Sequence, residues 1–153
     1  MTSAVTFSID VATRGQIEDH LRSCQDRFLP PLGRTVDISE YAGKIVSCAR
    51  RFEAWNGGAL VGLVAVYLND HKGRLAYITS VSVEREWSGR GIAGRLLEQC
   101  VAGARAGGFQ DLNLEVGRSN LAAFRLYTRH GFEVVSEAVD MLSMTMKLTE
   151  KRS

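Results

Sequence analysis

Proline, cysteine and histidine are all sparse in this sequence, which carries two prolines, three cysteines and three histidines in 153 residues. Because Pro30 and Pro31 are adjacent, no proline-rich linker divides the chain, and residues 1–153 read as one domain. Cys24, Cys48 and Cys100 lie far apart and outside any C-x-x-C pattern. That spacing argues against a disulfide framework or a zinc site and for reduced, partly buried thiols. His20, His71 and His130 are equally scattered, so no metal is expected. Long apolar runs are also missing. The longest, Ala59–Leu68, is about half of the roughly 20 residues that a membrane helix needs, and its β-branched residues mark a buried strand. The opening segment MTSAVTFSIDVATRGQ has neither the basic start nor the apolar stretch of a secretory signal, so a cytoplasmic location is expected. A formal charge of +2 is too small to argue for nucleic acid, and no membrane partner is expected either.

What is present alternates between strand and helix patterns. FSIDVA supplies a first strand, and Ile17, Leu21, Cys24 and Phe28 share one face of a helix that Pro30 and Pro31 end. A second helix starts near Asp37, with Tyr41, Ile45 and Cys48 at helical spacing. RFEAW, the turn NGG and ALVGLVAVYLN form a hairpin, since Asn-Gly supplies the positive φ angles of a tight turn. RLAYITSVSVE adds a third antiparallel strand. Then follow a helix over Gly91–Ala106, the strand Asp111–Val116, a helix over Leu121–His130, and the strands FEVVSEA and MLSMTMKL. The order implies an α/β (α+β) fold: one mixed, mostly antiparallel, twisted sheet of about seven strands with helices on both faces. The terminal MLSMTMKL strand, if it forms an open edge, suits pairing with a second copy, so a homodimer is possible.

Gly89, Gly91 and Gly94 spell G-x-G-x-x-G, with Glu115 following about where a ribose ligand would stand. A dinucleotide site requires that turn directly after a strand. Here the polar residues Glu84–Ser88 intervene, and too little chain follows for further βα units. The local physics survives nonetheless. A glycine-rich turn opening a helix aims free N–H groups and a positive dipole end at one spot, which suits a phosphorylated ligand. Gly94, inside the helix, suggests close backbone approach. Downstream, Asn120, Ala123 and Tyr127 fall on one helix face, and Gly131 suits a left-handed helix end.

Together these two motifs resemble the GNAT superfamily of acetyl-CoA-dependent N-acetyltransferases. The acyl-CoA motif aligns on Ser88, Gly89, Arg90, Gly91, Ile92 and Ala93, and the later pattern on Asn120, Ala123, Tyr127, Gly131 and Phe132. With LEV before GRSN, the stretch is most similar to ribosomal-protein N-terminal acetyltransferases. Ser88 departs from the family's usual arginine or glutamine, removing a side-chain contact to the pyrophosphate for which Arg85 or Arg90 compensates in one reading. The resemblance implies acetyl-CoA as donor, held by Val81, Ser82 and Val83 along the pantetheine, by Gly89–Gly94 at the pyrophosphate, and by Asn120, Ala123 and Tyr127. It implies direct attack by an amine acceptor, with a backbone N–H near Val83 stabilising the oxyanion and Tyr127 protonating the departing thiolate. Glu115 is the first candidate base, because strand alternation sets Asn113 and Glu115 opposite Leu112, Leu114 and Val116, and Glu84 is the second. Tyr41, Tyr67, Asn69 and Tyr77 are expected to line the acceptor site. A non-catalytic acyl-CoA-binding module and a dinucleotide-dependent oxidoreductase are the alternatives.

Overall fold

The computed structural model describes residues 5–28 and 30–149. Helix α1 (Arg14–Cys24) opens on a reciprocal cap: Gln16 N donates to Thr13 Oγ1 at 3.2 Å and Thr13 N donates to Gln16 Oε1 at 2.9 Å. Its buried stripe is Ile17, Leu21 and Cys24. The helix stops there and not at Phe28. Residues Gln25–Arg27 tighten into a 3₁₀ turn and Phe28 is already extended, with φ −85° and ψ 144°. Helix α2 (Ile38–Cys48) is capped by Asp37, which accepts from Glu40 N at 3.0 Å. Its buried stripe is Ile38, Ala42 and Ile45. The expectation for Cys48 fails: as the last helical residue, where the chain swings into a strand, its thiol is exposed, while Cys24 and Cys100 are buried.

One sheet of seven strands organises the rest, in the order β1 (Thr6–Ile9), β2 (Ala49–Asn56), β3 (Ala59–Asp70), β4 (Leu75–Val83), β5 (Asp111–Gly117), β7 (Met141–Lys147), β6 (Glu133–Glu137). Every neighbouring pair is antiparallel except β4 and β5. Helices α1 and α2 pack on one face over Trp55, Leu60, Leu63 and Ala65. Helix α3 (Ile92–Ala106) packs on the other through Ile92, Leu96, Leu97, Cys100 and Ala104, and Tyr127 of α4 (Leu121–Arg129) joins the same core. The fold class is therefore the mixed α/β one read from the sequence. The edge strand is not. MLSMTMKL forms β7, which is paired on both sides, and the outer strand at that end of the sheet is β6, because the chain leaves α4 to the sheet's rim and then turns inward.

Two irregularities make room for a site. Ala65 pairs with Ser80 while Val66 pairs with Ile78, so Thr79 is an extra residue on β4, a bulge that bends the strand. The parallel β4–β5 ladder runs only from Leu75–Asp111 to Tyr77–Asn113. Beyond it the strands part: β4 follows β3 as far as Val83, and β5 follows β7 as far as Gly117. The sheet is split in its middle.

Candidate active site

The polar insert after β4 is a 3₁₀ turn, Arg85–Trp87, whose Trp87 is buried. Gly89 and Gly91 then adopt φ 74° and 78°, a region that strains any residue with a Cβ. Arg95 N is the first amide of α3 to find an intrahelical partner, the Gly91 carbonyl at 3.1 Å, and Gly91 offers no side-chain cap. The N–H groups of Ile92, Ala93 and Gly94 therefore form an uncapped, electropositive helix end. Ile92 gives it only its backbone, since the side chain is in the core. Gly94 marks a close approach between helices. A Cβ there would lie 3.2 Å from His130 Nε2, so the glycine lets α3 close on the end of α4. Ser88 Oγ turns back to donate to the Arg85 carbonyl at 2.6 Å. Arg90 stacks on Trp87, 4.4 Å from the ring centre, and donates to the Glu86 carbonyl at 3.3 Å.

Between the parted strands lies a cleft of about 590 Å³. Val81 and Val83 line it with backbone as well as side chain. Glu84 N donates to the Val61 carbonyl at 2.8 Å, so Glu84 is a hydrogen-bonded pair partner and, by alternation, so is Ser82 with Leu63. The amides and carbonyls of Val81 and Val83 thus turn away from β3, toward the gap. Those of Ser82 are used in the ladder, which removes Ser82 as a backbone contact for a ligand. Asn120, Ala123, Leu126 and Tyr127 form the wall from α4. Asn120 is that helix's cap, its Oδ1 accepting from Ala123 N at 3.3 Å. Tyr127 is 7% exposed, sits edge-on to Phe132, and its hydroxyl has no hydrogen-bond partner among the described residues. Burial pushes its phenol pKa above the usual 10.

The opposite wall, built on the α1/α2 face, is polar. Tyr41 Oη donates to the Thr79 carbonyl at 2.7 Å, and burial raises its pKa to about 12. Tyr77 Oη donates to Glu115 Oε1 at 3.0 Å, and burial first, then Glu115, raises its pKa. Both tyrosines and Glu115 line the cleft. Ser80 Oγ is buried there without a partner among the described residues. Tyr67 and Asn69 do not line the cleft, because they stand on β3, one strand back from the gap. Tyr67 packs under Lys44, and Asn69 Nδ2 donates to the Cys48 carbonyl at 3.1 Å. The mouth on this side includes Arg27, Phe28 and Leu32; Leu29, in the expected acceptor loop, lies outside the described residues.

Sequence reasoning missed His20. It is 2% exposed beneath this wall, with Nδ1 3.0 Å from the Leu60 carbonyl and Nε2 2.8 Å from Ser82 Oγ. Cys24 and Glu84 gather round it, their ligand atoms within 4.8 Å of one another. Both ring nitrogens are already committed to protein oxygens, so this group is a hydrogen-bonded cluster and not a ready set of metal donors. Nothing local in the sequence signals it, since His20 and Ser82 are 62 residues apart.

The model of the acetyltransferase (GNAT) family matches residues 16–132. An N-alpha-acetyltransferase of Arabidopsis thaliana, MAK3, is 33% identical over 82 residues, which are 53% of this chain and 43% of that protein. This chain thus spans less than half the length of that curated relative. Among solved structures, the ribosomal-protein-S18-alanine N-acetyltransferase of Escherichia coli superposes with a TM-score of 0.76 at 18% identity, covering 97% of both chains. A putative acetyltransferase of Salmonella typhimurium, solved with its cofactor acetyl-CoA, gives a TM-score of 0.74 at 18% identity, covering 98% of this chain and 97% of that one. These likenesses carry the fold. The dinucleotide reading of the glycines is overturned by the family match and by the mostly antiparallel sheet.

Proposed function

Because the chain belongs to the acetyltransferase (GNAT) family, we propose that it moves the acetyl group of acetyl-CoA directly to a primary amine, within a ternary complex, and that the amine is a peptide N-terminus. The observation that carries the reading is the split between β4 and β5, which places unpaired strand backbone, Ala93 of the α3 helix end and a buried tyrosine around one cleft, while Gly91 and Gly94 line a second hollow that shares Leu126 with it. The cleft's chemistry fits the donor: open strand amides for an amide-bearing pantetheine arm, and uncapped helix amides for a pyrophosphate. Val81, Val83, Gly89–Gly94, Asn120 and Ala123 would hold it, and it supplies an activated thioester carbonyl. The outward amide of Val81 or Val83 is positioned to stabilise negative charge on that carbonyl oxygen.

Tyr127 is a phenol, protonated at neutral pH as any tyrosine is, and it lines the cleft where it can donate a proton to a departing thiolate, while burial, by raising its pKa, makes it a weaker acid. The polar wall opposite receives the amine. Glu115 and its partner Tyr77 present an acceptor for an ammonium, and Tyr41, Thr79 and Ser80 add fixed hydrogen-bonding groups. A peptide N-terminus is favoured over a small amine by the Arabidopsis relative, described as an N-alpha-acetyltransferase. Residues 1–153 are read as one such domain acting in the cytoplasm. Among the described residues no helix is long and apolar enough to cross a membrane.

The test is acetyl transfer itself, measured as thiol release and product mass with acetyl-CoA and, in parallel, peptides with free or blocked N-termini and small polyamines. Transfer to free N-termini and not to blocked ones is the expected outcome. Transfer confined to the polyamines overturns the peptide assignment, and stabilisation by acetyl-CoA without transfer to any amine favours a binding module.

A further inference from the structure

We infer that Ser82 and His20 form a proton-accepting relay in the acceptor wall, through which the incoming amine loses its proton, with Glu84 held behind the ring to stabilise the charged form. The relay rests on the acetyl-transfer reading above. Its chemistry follows from one fixed group. The Leu60 carbonyl can only accept a hydrogen bond, and it lies 3.0 Å from His20 Nδ1, so Nδ1 carries the ring's proton. In the neutral ring Nε2 is then bare, and the Ser82 hydroxyl, 2.8 Å away, donates to it. That spends the serine's hydrogen inside the wall. What Ser82 can still offer the cleft it lines is an oxygen lone pair, an acceptor only.

An alkyl ammonium, which has only donors, suits that oxygen. One N–H bond of the ammonium breaks as an O–H bond forms on Ser82 Oγ. The serine's original O–H bond breaks as an N–H bond forms on His20 Nε2. The amine is left neutral with its electron pair free to attack, the serine hydroxyl is regenerated, and the ring is an imidazolium. After the product leaves, the same transfers in reverse return the proton to water in the opened cleft.

The surroundings suit both states of the ring. The titratable groups facing it among the described residues are Cys24, one turn on in α1, and Glu84, just past β4, while β3 offers the Leu60 carbonyl. Cys24 Sγ lies 3.8 Å from each ring nitrogen, and burial raises its pKa to about 12, so it stays a neutral thiol. Burial lowers the pKa of His20, keeping the ring neutral and ready to accept, while Glu84 acts in the opposite direction. Glu84 Oε1 stands 3.6 Å from Nδ1, and its other oxygen accepts from Ser23 Oγ at 2.6 Å, so the counter-charge is held in place. A second observation marks the wall as a ligand surface. Ser80, two residues back on the same strand face and also lining the cleft, has a buried hydroxyl with no partner among the described residues.

The test uses the full chain with Ser82→Ala, Ser82→Thr and His20→Gln. Kinetics with acetyl-CoA and a peptide bearing a free N-terminus are followed across pH, and the ring nitrogens are read by ¹⁵N NMR. General base catalysis predicts that S82A lowers kcat by about 100-fold while the KM for acetyl-CoA stays within about twofold. The acid limb of the pH profile should move up toward the amine's own ionisation, and S82T should restore most of the rate. NMR should show the Nδ1–H tautomer, with the Nε2 signal displaced in S82A. An Nε2–H tautomer, or unchanged pH profiles in both S82A and H20Q, overturns the relay while leaving acetyl transfer intact. A wild-type protein that binds acetyl-CoA yet acetylates no amine overturns the acetyl-transfer reading, and the relay with it.

Discussion

The two walls of the cleft are built on different principles. On the α3/α4 side the free hydrogen-bonding groups belong to the backbone: the outward amides of Val81 and Val83, the uncapped N–H groups at the start of α3, and a turn held open by Gly89 and Gly91 at positive φ. On the α1/α2 side they belong to side chains: Tyr41 on Thr79, Tyr77 on Glu115, Ser82 on His20. A backbone site demands particular residues only where the chain must bend, so its glycines form a compact signature. A side-chain site is assembled from distant segments and can be re-chosen residue by residue. A wall that must fit an invariant donor suits the first construction, and a wall that selects an acceptor suits the second.

The contrast can be broken most severely at Tyr127, the one side chain on the backbone-built wall given a chemical role. Tyr127→Phe should lower kcat by about 100-fold, the low end for loss of a general acid. Acetyl-CoA affinity by calorimetry should be almost unchanged, and a parallel loss of affinity would make the tyrosine a binding residue instead. Gly91→Ala probes the backbone wall itself. Forcing a Cβ into φ 78° costs about 1–2 kcal/mol. Nothing lies within 4 Å of that Cβ to add a clash, so the loss should appear as a lower unfolding midpoint with weaker acetyl-CoA binding, and acceptor KM should hold. The smallest effect is the pH-dependent stability that comes from the titration of His20. Its folded pKa lies below the ordinary 6.5, so its contribution to stability is fully present above that pH and is lost as pH falls from 6.5 toward the folded value. The slope is at most about 1.4 kcal/mol per pH unit. Denaturant melts of H20Q should lack that component, and identical acid sensitivity in both proteins would show that the ring titrates alike folded and unfolded.

Legibility followed the same division. The hairpins, the mixed sheet, the glycine turn and the Asn120–Tyr127 helix face could all be read, because each depends on residues within a few positions of one another. The strand order could not be read beyond the hairpins. FEVVSEA and MLSMTMKL look equally like edge strands, and only the return of the chain puts β7 inside and β6 at the rim. Tyr67 shares the parity of an acceptor residue, yet strand parity does not say which strand borders the gap. His20 looks like an isolated histidine until α1 docks on the sheet and brings it to Ser82 and Glu84. Gly94 signals a close approach in the sequence, but what approaches it, the His130 ring, is a contact that exists only once α3 and α4 are packed.

The parting of β4 and β5 has a topological consequence. A sheet is normally a partition with helices on either side, and this one has a doorway through it, reached from Arg27, Phe28 and Tyr41 on one face and from Ala93, Ala123 and Tyr127 on the other. If coenzyme and amine bind as proposed, they can approach from opposite faces without contending for one entrance. A compound that threads the doorway, with a coenzyme A arm on one side and a peptide on the other, would fill both entrances at once and hold the two halves of the sheet together like a rivet.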